Sequence, residues 1–145
     1  MKYLGYFALI VVLLSCSKEE EEENVEPVLT FESMTPVAVT ELVEEIVIKF
    51  KYSDNDGNLG ENDDPDVTNL FITDSRNQVV NSFRVKQLAP DNSTIAIEGT
   101  LSVTINPLLI TDGSTNEKGT FSIYMNDRAG NKSNVIISSE FTVSK

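Results

Sequence analysis

A two-residue hydrophobic period constrains this chain more than any other feature. Between residues 95 and 105, Ile95, Ile97, Gly99, Leu101, Val103 and Ile105 alternate with Ala96, Glu98, Thr100, Ser102 and Thr104. Successive side chains of an extended strand point to opposite faces, so the pattern makes one apolar face and one wet face. Its length predicts one bent strand or two, with Gly99 at the bend. Ile46, Ile48, Phe50 and Tyr52 repeat the period against Lys49 and Lys51. So do Phe121, Ile123 and Met125 against Ser122, Tyr124 and Asn126. The chain then turns through Asp127-Arg128-Ala129-Gly130-Asn131 into Val135, Ile137, Phe141 and Val143, which reads as a hairpin with Gly130-Asn131 in left-handed backbone. Shorter strands are expected near Val28 to Phe31, Asn69 to Thr73 and Val79 to Val85. No stretch after residue 26 has a helical period, and Glu41 to Glu45 allows one turn at most. About seven short strands in one domain, residues 27–145, predict an all-β antiparallel sandwich, with an open barrel as the rival.

The first residues obey different rules. Met1 and Lys2 give a short positive start, and Tyr6 to Leu14 form an apolar run of nine. A bilayer span needs about 20 such residues, so the run fits a secretory signal peptide. The site Leu13-Leu14-Ser15-Cys16 resembles the lipobox of bacterial lipoproteins. That resemblance implies removal of residues 1–15, a diacylglycerol on the Cys16 thiol, a third acyl chain on its amine, and hence a membrane as partner. Two or three chains hold firmly at about 0.8 kcal/mol per buried CH₂. Ser17 stands where an Asp would mark retention in the inner membrane, so the family pattern implies the outer one. The alternative is an ordinary signal peptide with an incidental cysteine. Cys16 is the only cysteine, which leaves none for a disulfide.

Residues 16–26 carry Glu19, Glu20, Glu21, Glu22 and Glu23 in succession. Like charges at this density repel and bury nothing, so the segment is expected to be a disordered tether reaching roughly 30 Å. An acidic stretch directly after a lipidated cysteine also resembles the export signal of Bacteroidota surface lipoproteins, which implies display toward the cell exterior. A solvated spacer without an address is the other reading.

Charge and absences narrow the chemistry. Without residues 1–15 the chain loses Lys2, leaving 10 basic residues against 23 acidic ones and a net charge of −13. Such a surface repels nucleic acid and anionic headgroups. There is no histidine, and the one thiol is committed to lipid, so neither a Ser-His-Asp or Cys-His site nor a His- or Cys-based zinc site can be built. Beyond residue 15 there is no Trp and only Tyr52 and Tyr124, which argues against a broad aromatic platform for sugars.

The densest polar stretch runs Asp54-Asn55-Asp56-Gly57-Asn58-Leu59-Gly60-Glu61-Asn62-Asp63-Asp64-Pro65-Asp66. Calcium takes six to eight oxygen ligands, and oxygens at alternate positions with glycines allowing a tight curl suit it. Asp54, Asp56 and Asn58 have that spacing, with Glu61 as a further ligand. The stretch resembles the Asp-x-Asp-Gly loops of calcium-stabilised extracellular modules, which makes Ca²⁺ the candidate ligand, though none is required. It is not an EF-hand, since glycine falls at the fourth and seventh positions and no helix flanks it. A solvated acidic turn is the plain alternative.

The run Asp127-Arg128-Ala129-Gly130-Asn131 resembles the last hairpin of bacterial immunoglobulin-like (Ig-like) modules, joining strands F and G. In that fold the B–C and F–G connections emerge at one end, which would bring Asp127 to the acidic loop as a fifth ligand. Capping its own turn is its other role. A glycosidase needs two carboxylates across a cleft, and a sandwich this small offers little cleft, so no enzyme is expected. The reading is therefore a non-catalytic surface lipoprotein acting in adhesion or protein interaction. A glycan-binding accessory of a polysaccharide importer is second, and a carboxylate-only hydrolase third.

Overall fold

A computed structural model describes residues 25–61, 64–90 and 92–145. Cys16 and Glu19 to Glu23 lie outside them. Among the described residues there is no helix, and the strands are β1 (Val28–Thr35), β2 (Ala38–Thr40), β3 (Ile46–Asp54), β4 (Leu70–Asp74), β5 (Val80–Phe83), β6 (Ile97–Ile105), β7 (Asn116–Gly119), β8 (Phe121–Met125), β9 (Ile136–Ile137) and β10 (Phe141–Ser144).

One layer has the order β1-β3-β6. The other is made of β5-β4-β8-β9 and β2-β10-β7. These two sets are continuous along the chain, because only Thr120 separates β7 from β8 and only residues 138–140 separate β9 from β10. Counting β1 with β2, β7 with β8 and β9 with β10 as single broken strands recovers the expected seven. They are A, B, C, C′, E, F and G of an Ig-like sandwich, with A shared between the layers. Among the named strands the pairing is antiparallel except where β2 runs parallel to β10, and the isolated Glu61–Lys86 bridge is parallel as well. The chain leaves the first layer after Thr35 and joins the second beside the last strand, running in the same direction.

Alternation positions the core. Ile46, Ile48 and Phe50 of β3, Ile72 of β4, Phe121, Ile123 and Met125 of β8, and Phe141 and Val143 of β10 are fully buried between the layers. Each such side chain contributes about 1.5–3 kcal/mol on burial. The open side of β1 is closed by one side chain. Asn134 accepts from Leu29 N at 2.7 Å and donates to Leu29 O at 3.0 Å, satisfying both backbone groups of a core residue.

β6 corrects the expectation of a bend. It is one uninterrupted strand, in register with β3 from Ile97 opposite Asp54 to Ile105 opposite Ile46. Gly99 sits opposite Tyr52, and a Cβ there would lie 2.7 Å from the Tyr52 hydroxyl. Glycine therefore makes room for the aromatic ring and does not bend the strand. Ile95 precedes the strand and is 57% exposed, so the apolar face starts one step later than the alternation suggested.

The sandwich has two distinct ends. The chain enters β1 at Val28, beside the end of β3, where the acidic loop and the turn after β8 also emerge. The opposite end gathers the 41–45 turn, the β4–β5 hairpin and the 106–115 connection, held by Leu42 N on Leu108 O at 2.9 Å and Arg76 Nη1 on Leu109 O at 2.9 Å.

Candidate functional site

The acidic loop and the F–G turn meet as the topology requires. Arg128 donates its backbone N–H to Asn58 O at 3.4 Å and its Nη1 to Gly60 O at 3.0 Å. Asp54, the last residue of β3, is 1% exposed although it is an acid. Its Oδ2 accepts from Leu59 N at 2.8 Å, which folds the loop back over the strand end. Gly57 and Gly60 adopt φ of 69° and 93°, and a Cβ at either would collide with a backbone carbonyl, of Ile95 and of Lys86 respectively.

The expected ligands divide. Asp56 accepts from Asn58 Nδ2 at 2.7 Å and from Asn58 N at 3.4 Å, and it faces the Asp54 carboxyl, so Asp54, Asp56 and Asn58 form one group. Asp127 is buried beside them, near enough for its charge to act on Asp54. Its own oxygens are committed to the turn, Oδ1 to Asn131 N at 2.7 Å and Oδ2 to Asn131 Nδ2 at 2.8 Å. Glu61 goes elsewhere. Its backbone bridges to the strand-like 85–87 segment, accepting from Gln87 N at 3.0 Å and donating to Val85 O at 2.8 Å, and it lines a depression with Arg84, Lys86 and Gln87. Among the described residues no three acidic side chains could hold one metal ion between them. What the loop offers is two carboxylates and one amide oxygen.

Burial and the facing acids push the Asp54 carboxyl up to about 6, burial being the larger cause, while the Leu59 N–H bond works against it. An acid raised in the folded state binds its proton there more readily than in the unfolded chain. Folding therefore gains stability as pH falls from 7 toward about 5, and that gain is lost again as pH rises through 6. In chelator, we expect the chain to be about 1 kcal/mol more stable at pH 5 than at pH 7, allowing for solvent near the rim. Asp54→Asn should flatten this dependence. Urea denaturation at both pH values measures it, and an equally steep dependence in the variant would reject the assignment to Asp54.

Sequence reasoning missed a second polar cluster at the opposite end. Arg76 is nearly buried and binds Asp74 Oδ2 at 2.7 Å and Glu117 Oε2 at 3.3 Å, with side chains 2%, 4% and 9% exposed in that order. Glu117 also accepts from Thr111 N at 2.6 Å and from the Thr111 hydroxyl. The cluster ties the β4–β5 hairpin to β7 and to the connection before it. It is fully occupied by its own members, which gives it a structural role.

The half-buried aromatics of β4 and β8 pair with each other. Phe71 and Tyr124 stack with centroids 4.9 Å apart, and the Lys132 ammonium lies 3.9 Å from the Tyr124 centroid. This chain matches no family model, no curated protein and no solved structure. Fold and site together define a small Ig-like sandwich with one acidic end.

Proposed function

We propose that this chain is a lipid-anchored, non-catalytic Ig-like module of the outer membrane, facing the cell exterior, that works by binding another protein. The observation that carries the reading is the polarity of the sandwich. The chain enters at the acidic end, so an anchor at Cys16 would attach the domain from that end and leave the opposite end the farther from the attachment point. The far end displays Leu42, Val43 and Leu109, at 61%, 63% and 55% exposed, Leu42 and Val43 being the most exposed large apolar side chains among the described residues. Exposed apolar side chains at one end of the sandwich, in a turn that also carries Glu41 and Glu44, suit a protein partner. The glycan reading has less support, since the Tyr124 ring already carries Phe71 and Lys132. The hydrolase reading has less again. The depression over β1, β3 and β6 is lined by Val28, Thr30, Lys51, Tyr52, Ser53, Glu98, Gly99 and Thr100, and so offers one acid where two are needed.

A photo-crosslinking residue at position 43, expressed in whole cells, tests the interaction and the anchor together. The expected result is a discrete protein adduct, fatty-acid labelling of the chain, and loss of both label and adduct in Cys16→Ala. Label retained by Cys16→Ala would sink the anchor. Labelled chain that gives no adduct at position 43 would sink the partner at this end.

A further inference from the structure

The acidic end holds two polar atoms that the fold leaves unanswered. Asp54 Oδ1 and Asn58 Oδ1 are both buried and have no hydrogen-bond partner. A buried oxygen left this way costs about 1–3 kcal/mol, so native folds seldom tolerate one, let alone two in a single loop. Asp54 is the more telling. The side chain is 1% exposed, its Oδ2 is taken by Leu59 N, and its free oxygen belongs to a carboxyl that faces Asp56. Two ionised carboxylates have no hydrogen to share, so something between them must supply positive charge. Asn58 donates through Nδ2 to Asp56, which turns its oxygen away from that bond. That oxygen also needs a donor or a cation.

A proton on Asp54 would answer one of these atoms and leave the other. A cation answers both. We propose that Asp54, Asp56 and Asn58 hold one calcium ion, with backbone carbonyls and water completing its shell. Every side-chain donor is a hard oxygen, and the chain has no histidine to favour a transition metal. The loop curls through left-handed Gly57 and Gly60 and accommodates the irregular shell of calcium better than the octahedron magnesium requires. Asp127 adds negative charge from the neighbouring turn without giving up its bonds to Asn131. Arg128 links that turn to Asn58 O and Gly60 O, so the ion would stiffen both connections at once. This site is independent of the partner-binding role at the far end.

The test is calcium titration of the mature chain in detergent at neutral pH and constant ionic strength, so that screening of the −13 charge cannot imitate binding. Calorimetry should find one ion per chain with a Kd of about 10⁻⁴ to 10⁻³ M, the range of extracellular modules. At 10 mM calcium the melting temperature should rise by roughly 4–14 °C. Magnesium at the same concentration should raise it far less. Asp54→Asn keeps the shape and the Leu59 bond, so it should fold while losing the calcium shift, and Asp56→Ala should lose it as well. No shift with calcium, an equal shift with magnesium, or a full shift in Asp54→Asn would each overturn the proposal.

Discussion

Arg76→Met should destabilise the domain by about 3–5 kcal/mol, lowering the melting temperature by roughly 10–20 °C. The size follows from what the substitution leaves behind. Arg76 donates Nε to Asp74 Oδ1 at 3.1 Å, Nη2 to Asp74 Oδ2 at 2.7 Å, and Nη1 to both Leu109 O at 2.9 Å and Glu117 Oε2 at 3.3 Å. Methionine fills much of the same space and answers none of these acceptors. Two nearly buried carboxylates would face each other's neighbourhood with no cation, and uncompensated buried charge is far more costly than the intact pair is beneficial. The check on this mechanism is removal of the charges as well. Adding Asp74→Asn and Glu117→Gln to Arg76→Met should recover at least half of the lost stability. Urea denaturation of the three proteins decides it. A single substitution costing under about 1 kcal/mol would show that solvent reaches the cluster and screens it as it does surface pairs.

That cluster also marks the limit of what the sequence displays. The strands were legible because burial on one face imposes a local period, as in Ile46, Ile48 and Phe50, and reading needs only a window of a few residues. The B–C and F–G ends could be brought together for the same reason, since seven alternating strands admit few topologies. Arg76 stands in Ser75-Arg76-Asn77, which looks like any solvated hairpin, and its partner Glu117 is 41 positions away. Nothing local distinguishes it from Arg84 or Arg128. β2 and β7 are not legible either, because Ala38–Thr40 and Asn116–Gly119 are short and are defined by pairing with β10, a contact distant in sequence. At the acidic loop, spacing identified Asp54, Asp56 and Asn58 but could not assign Glu61. Its backbone pairing with the 85–87 segment decides its place, and that pairing is a long-range contact. Gly99 shows the converse error. A glycine in a strand suggests a bend, whereas here the reason for it is the Tyr52 ring on the facing strand.

Phe141→Ala should cost about 3–5 kcal/mol, comparable to the loss of Arg76. Phe141 is fully buried, stacks on Phe121 with centroids 4.7 Å apart, and carries the Arg76 guanidinium carbon 5.0 Å above its ring. Truncation therefore opens a cavity in the core and strips a cation from the aromatic face that helps hold it. The residue paired with Phe141 across the strands is Gly119, and a Cβ there would lie 2.8 Å from Phe141 Cζ and 2.7 Å from Arg76 Cγ. Gly119→Ala alone should thus destabilise, because the ring it meets has no room to retreat between the layers. In Phe141→Ala the ring is gone, Arg76 is free to shift, and the added methyl lies against the cavity. The two substitutions should then cost less together than the sum of their separate costs, by about 1 kcal/mol or more. A double-mutant cycle by urea denaturation measures the coupling. Strict additivity would mean that the strands separate to absorb Gly119→Ala, and that the contact between Gly119 and the ring is not what requires glycine at this position.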